Sequence, residues 1–297
     1  MADTDPTTAL SRAFPWIARI AWLAVPAGGG AIDAAVDGRS SGVSWVAAVG
    51  GWTVWGSVVA ALLIPSTLSL AWIRVVGPLS LVAVVATIVG GAPATDVALL
   101  AVPSLVAVAV FMTPDVGRWM VQQSAYGDED RLLLRAPVAA GAAAIVTWVV
   151  WAAAIVIGPL ALGASNLAVG LPLTVIAIAL TAYVGPRWLL MAQRWLVLVP
   201  AGLVVHDPIV LADTLMVKTN QLGSIRLAPA DTQAADLTGP ASGYAIEIST
   251  TESVSTVFSF TPQEPNGKAI HMTAFLVAPS RPGAALLRAN ARGLPVR

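Results

Sequence analysis

The chain has 297 residues, of which 57% are hydrophobic and 11% charged, with a mean hydropathy of +0.79. A soluble domain carries about 25% charged residues, so a surface facing water throughout is excluded and a membrane protein is indicated. Zero formal net charge and a pI near 6.7 exclude a nucleic-acid footprint, and the absence of cysteine excludes disulfides, thiolate catalysis and thiolate metal sites.

The opening, MADTDPTTALSRAF, makes a short polar tail over 1–13 with no basic segment ahead of a short apolar core. No cleavable signal peptide is expected, and insertion would proceed through internal spans. A spanning helix needs roughly 20 apolar residues, and six stretches qualify. The first, about Phe14 to Ala35, holds Arg19, Pro26, the run Gly28-Gly29-Gly30 and Asp33. The proline and glycines would bend it, so an interfacial or re-entrant segment competes with a full crossing. The second, about Ser44 to Ile64, carries Trp45, Trp52 and Trp55 and is closed by Pro65. The third runs from about Ile73 to Gly90 and the fourth from about Asp96 to Met112, with Pro103 inside. The fifth, about Pro137 to Gly158, and the sixth, about Leu167 to Leu190, are joined by a short uncharged link and should form an antiparallel hairpin.

Arginine sets the orientation. With six crossings, one side receives Arg12, Arg19, Arg74, Arg118, Arg131, Arg135, Arg187 and Arg194, and the other only Arg39. Lys and Arg are retained in the cytoplasm, so both termini are expected there. Arg187-Trp188 and Arg194-Trp195 mark the exit of the last span, with no flexible linker behind them. Small residues such as Gly50, Gly51 and Gly56 suit close helix packing in lipid; a small-residue substrate path is the competing reading.

The connection between spans four and five contains Asp128, Glu129, Asp130 and Arg131. Clustered carboxylates could hold a hard cation, but the spacing is not that of an EF-hand. A solvated turn paired with Arg131 and Arg135 and a docking surface for the C-terminal domain are the other readings.

From Gln193 the periodicity changes. Trp195 to Val199 and Leu203 to His206 flank Pro-Ala-Gly as a hairpin; Leu215 to Thr219, Leu222 to Leu227, Tyr244 to Ser249, Ser253 to Phe260 and Ala274 to Val277 read as further strands. A last helix follows, with Ser280 as expected N-cap, Pro282 in its first turn and Arg288 and Arg292 near its end. The expected fold is an α-helical transmembrane bundle of six spans over 1–192, followed by a small mostly-β domain with a C-terminal helix over 193–297.

The strand order, the opening LVPAGLVVHDP and the closing FLVAPSRPGAALLRANAR resemble bacterial pleckstrin-homology-like domains attached to membrane spans. With SAYGDEDRLLLRAP in the loop, the whole chain resembles uncharacterised multi-pass actinobacterial membrane proteins. The resemblance implies binding to a protein, peptide or lipid. It brings no reaction and no functional residues.

Chemical motifs are missing. His206 and His271 stand apart, and no GxSxG, HExxH, Walker A or dinucleotide fingerprint occurs. Asp33, Asp37 and Asp96 fall at predicted span ends, where solvation competes with an outer cation site, and no charge falls at mid-depth in spans two to six. The expectation is a non-catalytic bacterial inner-membrane protein without cofactor, metal or nucleic-acid partner. Its cytoplasmic domain would bind a protein partner or the bilayer surface, where Arg194, Lys218 and Arg226 could meet anionic headgroups. Arg187, Trp188, Trp195 and the Asp128–Arg131 cluster complete the candidate interface. A small-solute transporter or channel is the alternative, supported by the helix-breaking Pro26, Pro103 and Pro172; a membrane-embedded enzyme lacks any nucleophile, base and metal grouping.

Overall fold

The computed structural model describes residues 6–259 and 268–297, with side chains from 13 onward. The first five residues of the polar tail, the side chains up to Arg12 and Phe260 lie outside the described residues. The chain divides into two compact units. One takes in the residues up to Met120 together with Ala144–Leu189; the other is Val121–Ala143 with Leu190–Arg297.

The helical unit begins with α1 (Pro6–Ala24), a 3-10 turn (Val25–Gly28) and α2 (Gly29–Val36). Then come α3 (Ser41–Leu63), α4 (Thr67–Val76), α5 (Leu79–Val89), α6 (Ala94–Phe111) and a short α7 (Pro114–Gln122); α8 (Val138–Gly163) and α9 (Leu167–Ala192) supply the rest. Among the described residues, five segments are long and apolar enough to cross a membrane: Ser41–Leu63, Thr67–Val89, Ala94–Phe111, Val138–Gly163 and Leu167–Ala192. The first expected span is not among them: the 3-10 turn parts the eight residues of α2 from α1, and the 19 residues of α1 include Arg12, Arg19, two prolines, two threonines and a serine, which make it less apolar than the other five. The faces these five helices leave uncovered are apolar: Trp45, Val85, Ile88, Val146 and Ile178 are all more than half exposed.

The broken first segment packs deeply. Ala18, Trp22, Val25, Gly28 and Ala31 are buried along one face at helical spacing. The Trp22 indole N–H donates to the Trp55 carbonyl at 3.0 Å, and the Trp55 indole donates to the Trp22 carbonyl at 3.1 Å. Gly28 lies so close to α6 that a Cβ there would sit 2.4 Å from the Leu100 Cα. Glycine is required at this crossing because backbone meets backbone.

The third span breaks at Gly77-Pro78, between α4 and α5. Proline supplies no N–H, so carbonyls near a break need other donors. The Trp148 indole donates to the Val75 carbonyl at 2.8 Å and the Ser80 hydroxyl to the Gly77 carbonyl at 2.8 Å.

The second unit holds two four-stranded sheets and a helix. Strands β1 (Asp130–Leu133), β2 (Trp195–Val199), β3 (Gly202–His206) and β4 (Leu215–Lys218) pair antiparallel in that order. The expected Pro-Ala-Gly hairpin joins β2 to β3, with Gly202 at φ +146°. The other sheet comprises β5 (Leu222–Leu227), β6 (Ala235–Asp236), β7 (Ile246–Phe258) and β8 (Lys268–Val277) in the order β5-β7-β8-β6. The runs Tyr244 to Ser249 and Ser253 to Phe260, expected as separate strands, belong largely to one long β7. A register shift between Ser249 and Val254 divides it, and the turn-like residues between the runs form that irregularity.

One core joins both sheets: Leu132, Leu196, Leu203, Val217, Ile248 and Phe275 cluster with Ala285 and Ala289 of α10 (Pro282–Ala291). Ser280 does not cap α10. Its hydroxyl donates to the Leu133 carbonyl at 2.8 Å, and Arg281 holds the N-cap position without capping the helix through its side chain.

Candidate interaction site on the β unit

The acidic loop is part of the sheet rather than a free turn. Arg131 pairs in register with Val197, and Leu133 with Trp195. Beside this strand, Asp130 accepts from Arg288 and Arg292, both at 2.8 Å, and Asp128 accepts from Arg292 at 2.7 Å. Arg288 lies in the last turn of α10 and Arg292 at its C-cap; Asp130 opens β1 and Asp128 sits at the bend before it, so Arg292 bridges the two carboxylates while Arg288 joins Asp130, and the four groups form a ladder. Glu129 pairs with Arg131 at 2.8 Å and accepts the Tyr126 N–H at 2.7 Å. These carboxylates therefore meet cations of the same unit, and among the described residues no three His, Asp or Glu side chains converge as metal ligands.

Arg194 is corrected most sharply. It was expected at the headgroups, yet its side chain is 1% exposed and faces an equally buried Asp207. Arg194 Nε donates to Asp207 Oδ1 at 2.7 Å and Nη2 to Oδ2 at 2.6 Å. Another guanidinium N–H reaches the Arg135 carbonyl. Asp207 also accepts from the N–H groups of Ile209 and Val210 at 3.2 and 3.3 Å. A guanidinium removed from water needs such a complete set of acceptors.

Trp195 is half-buried between Arg131, 5.3 Å from its ring, and His206, stacked at 5.0 Å. Burial pushes the His206 imidazole below its ordinary pKa, with Arg131 adding to the fall and Asp207 opposing it. Lys218 is exposed at the end of β4. Arg226, on the other sheet, pairs with Glu247 at 2.7 Å. A Thr232 hydrogen bond, more than Arg226, holds the Glu247 carboxyl below the usual carboxylate range. In the helical unit, Arg187 lies exposed with its guanidinium 3.9 Å from the Tyr183 ring. Trp188, expected as an interface anchor, is buried edge-on against Trp151 at 5.4 Å.

The predicted residues thus fall into separate places. Glu129, Arg131 and Trp195 meet at the β1–β2 side; Arg226 stands elsewhere, beside an open groove of about 700 Å³. Its lining includes Arg226, Asp231, Thr232, Glu247, His271 and Thr273. Sequence reading missed this groove, because the only signal was alternation of polar residues on β7 and β8, which any solvated sheet face shows. It also missed Asp207, Arg288 and Arg292 as partners; their charge, opposite to that of Arg194, Asp128 and Asp130, was the available clue. Comparison of the chain with family models, curated proteins and solved structures finds no match.

Proposed function

We propose that this chain is a non-catalytic bacterial inner-membrane protein whose cytoplasmic, pleckstrin-homology-like β unit binds a partner beside the membrane. The carrying observation is that the charged clusters of the β unit are committed to its own fold, while a polar groove on it stays open. The Arg194–Asp207 pair, the Asp128/Asp130–Arg288/Arg292 ladder and the Arg226–Glu247 pair each close within the unit. The two histidines are likewise engaged apart, His206 with Thr214 at 3.1 Å and His271 with Ser255 at 2.7 Å. Groups so fixed support a binding surface better than acid–base chemistry.

Six crossings with both termini inside remain the proposed topology. Two of the cytoplasmic-side arginines support it. Arg19 lies 5.1 Å from both the Trp16 and Trp119 rings and donates to the Leu62 carbonyl at 3.1 Å, at the end of α3. Arg74 donates to the carbonyls of Phe111 and Thr113 at 3.0 and 3.1 Å, at the end of α6. Both cations meet the negative ends of helices, Arg19 from within α1 at the end of α3 and Arg74 from the last turn of α4 at the end of α6; arginines at both of those helix ends support a common cytoplasmic side for them. The transport alternative draws no support from the first break, where Val25 and Gly28 are buried and Gly28 is packed against Leu100.

The native absence of cysteine makes single-cysteine labelling clean. In intact cells an impermeant maleimide should label Ser165→Cys but not Tyr126→Cys, which should react only after lysis. Photo-crosslinking side chains placed at exposed Met216, Tyr244, Leu287 and Thr273 in native membranes should give discrete adducts from at least one position. Absence of any adduct, to protein or lipid, would refute the binding reading.

A further inference from the structure

A sheet edge is a row of unpaired N–H and C=O groups, and proteins cover such edges. This unit covers several. Beside β1, Gln122 accepts the Arg131 N–H at 2.9 Å and donates to the Glu129 carbonyl at 2.7 Å. Against β5 the C-terminal tail bonds Ile225 on both sides, through the Pro295 carbonyl at 2.8 Å and the Arg297 N–H at 3.0 Å. Along distal β7, Ala212 donates to Val257 at 2.9 Å and Ser259 to Val210 at 2.8 Å.

The outer edge of β8 is treated differently. β6 pairs with it only at Phe275 and Leu276. Upstream of Ala235 the chain turns away through Thr232, whose hydroxyl bonds Glu247. The direction of the free groups follows from alternation. The Leu276 carbonyl accepts from Leu237, on the β6 side, at 3.2 Å, whereas the Thr273 carbonyl accepts from Thr250 of β7 at 3.2 Å. The parity changes at the register shift: Val257 and Ser259 of β7 turn their backbone groups to Ala212 and Val210, so Phe258, Thr256 and Val254 face the opposing Lys268, Ile270 and Met272, and before Thr273 it is the odd-numbered β8 residues whose backbone groups face outward. Ala269 and His271 are the outward-facing positions that β6 does not reach, and among the described residues no strand pairs with them there. This edge opens on the groove, whose lining includes His271, Met272, Thr273 and Ala274. Arg226 and Glu247 neutralise one another there. Asp231, exposed on the groove wall, has no ionic partner among the described residues, so the groove carries one uncompensated negative charge.

We infer that the β8 edge at Ala269 and His271 takes an extended segment of a partner protein by strand addition, with a Lys or Arg of that segment set against Asp231. Main-chain bonds to two residues supply attachment, and the charge supplies selection. A segment added in this way lies about 4.8 Å from β8, on the side that β6 occupies beyond the register shift. The inference rests on the binding reading above and names its partner class.

The test uses the full chain in nanodiscs with two synthetic nonapeptides, Ser-Val-Thr-Val-Lys-Val-Thr-Val-Ser and its counterpart with Glu in place of Lys. Hydrogen exchange should slow about tenfold in segment 268–276 on adding the Lys peptide, with β2 and β3 unchanged. The Lys peptide should bind about tenfold tighter than the Glu peptide, and Asp231→Lys, at an exposed position, should reverse that order. No protection of 268–276, protection confined to another element, or equal binding of both peptides by the wild type and by Asp231→Lys overturns the inference. Protection of this segment by anionic nanodisc lipid alone, without peptide, also overturns it. If crosslinks form from Met216 or Leu287 while β8 stays unprotected, the binding reading stands and the strand-addition inference falls; loss of both results removes both.

Discussion

Asp207→Asn isolates the energetics of the buried ion pair. The asparagine oxygen can still accept from the Ile209 and Val210 N–H groups, which meet Asp207 Oδ1. The amide group then replaces Oδ2, which accepts Arg194 Nη2 at 2.6 Å, so a donor faces a donor and a cation is left in a site 1% exposed. A charge-assisted bond contributes about 1.5–3 kcal/mol, and removing one partner of a buried pair costs about 3–5 kcal/mol. A cost of about 4 kcal/mol, at an m-value of about 2 kcal/mol/M, lowers the urea midpoint of the β unit by about 2 M. Urea titration of the full chain in detergent, with pulse proteolysis reporting the β unit, measures this directly. Arg194→Met combined with Asp207→Asn leaves no charge in the site and should recover more than half of the loss. A single variant that shifts the midpoint by less than about 0.3 M, or a double variant no better than the single, would refute the argument.

Three further outcomes are expected. Gly28→Val drives a side chain into the Leu100 backbone, 2.4 Å from its Cβ position, and should cost about 1–3 kcal/mol or prevent folding. Gly29→Ala, with nothing within 4 Å, should stay within about 0.5 kcal/mol of the parent; detergent melting curves separate the two. Arg292→Ala removes the pairs to Asp128 and Asp130 and should speed hydrogen exchange over 126–131 while costing about 1 kcal/mol, since Asp128 is largely exposed. The pH dependence has a definite sign. Glu247 is held below its ordinary value of 4.5, so its contribution is full above that pH and is lost as pH falls through the lowered value. His206 is held below 6.5, so the unfolded chain binds its proton first and stability declines as pH drops below 6.5 toward the lowered value. Glu247→Gln and His206→Gln should each flatten the urea-midpoint profile in its own range.

Much of the architecture was legible along the chain because it is local. Apolar runs of spanning length gave the five membrane-length helices, and the Pro-Ala-Gly turn between alternating residues gave the β2–β3 hairpin. The change of period at Gln193 located most of the β unit. Legibility failed where an outcome depended on a distant partner. Arg194-Trp195 reads as an interface pair from its neighbours, but Asp207 and Arg135 take the arginine inward. Trp188 reads as an anchor, but Trp151 covers it. Ser280 reads as a cap, but the Leu133 carbonyl takes its hydroxyl.

The acidic loop states the division most clearly. Its own residues determine charge, turn and a short extended stretch, and these are compatible with a cation site, a solvated turn or a docking face. Only the folded chain brings Arg288 and Arg292, some 160 positions away, against Asp130 and Asp128, and lays Arg131 beside Val197 as an edge strand. Composition and periodicity act over one or two turns of chain, so the sequence by itself determined which stretches are long and apolar enough to cross a membrane and which alternate as strands. Pairing of charges and closure of sheet edges depend on which distant segments meet, and that the tertiary structure alone decided: it turned three clustered carboxylates into struts of the β unit and left one stretch of β8 without a strand partner among the described residues.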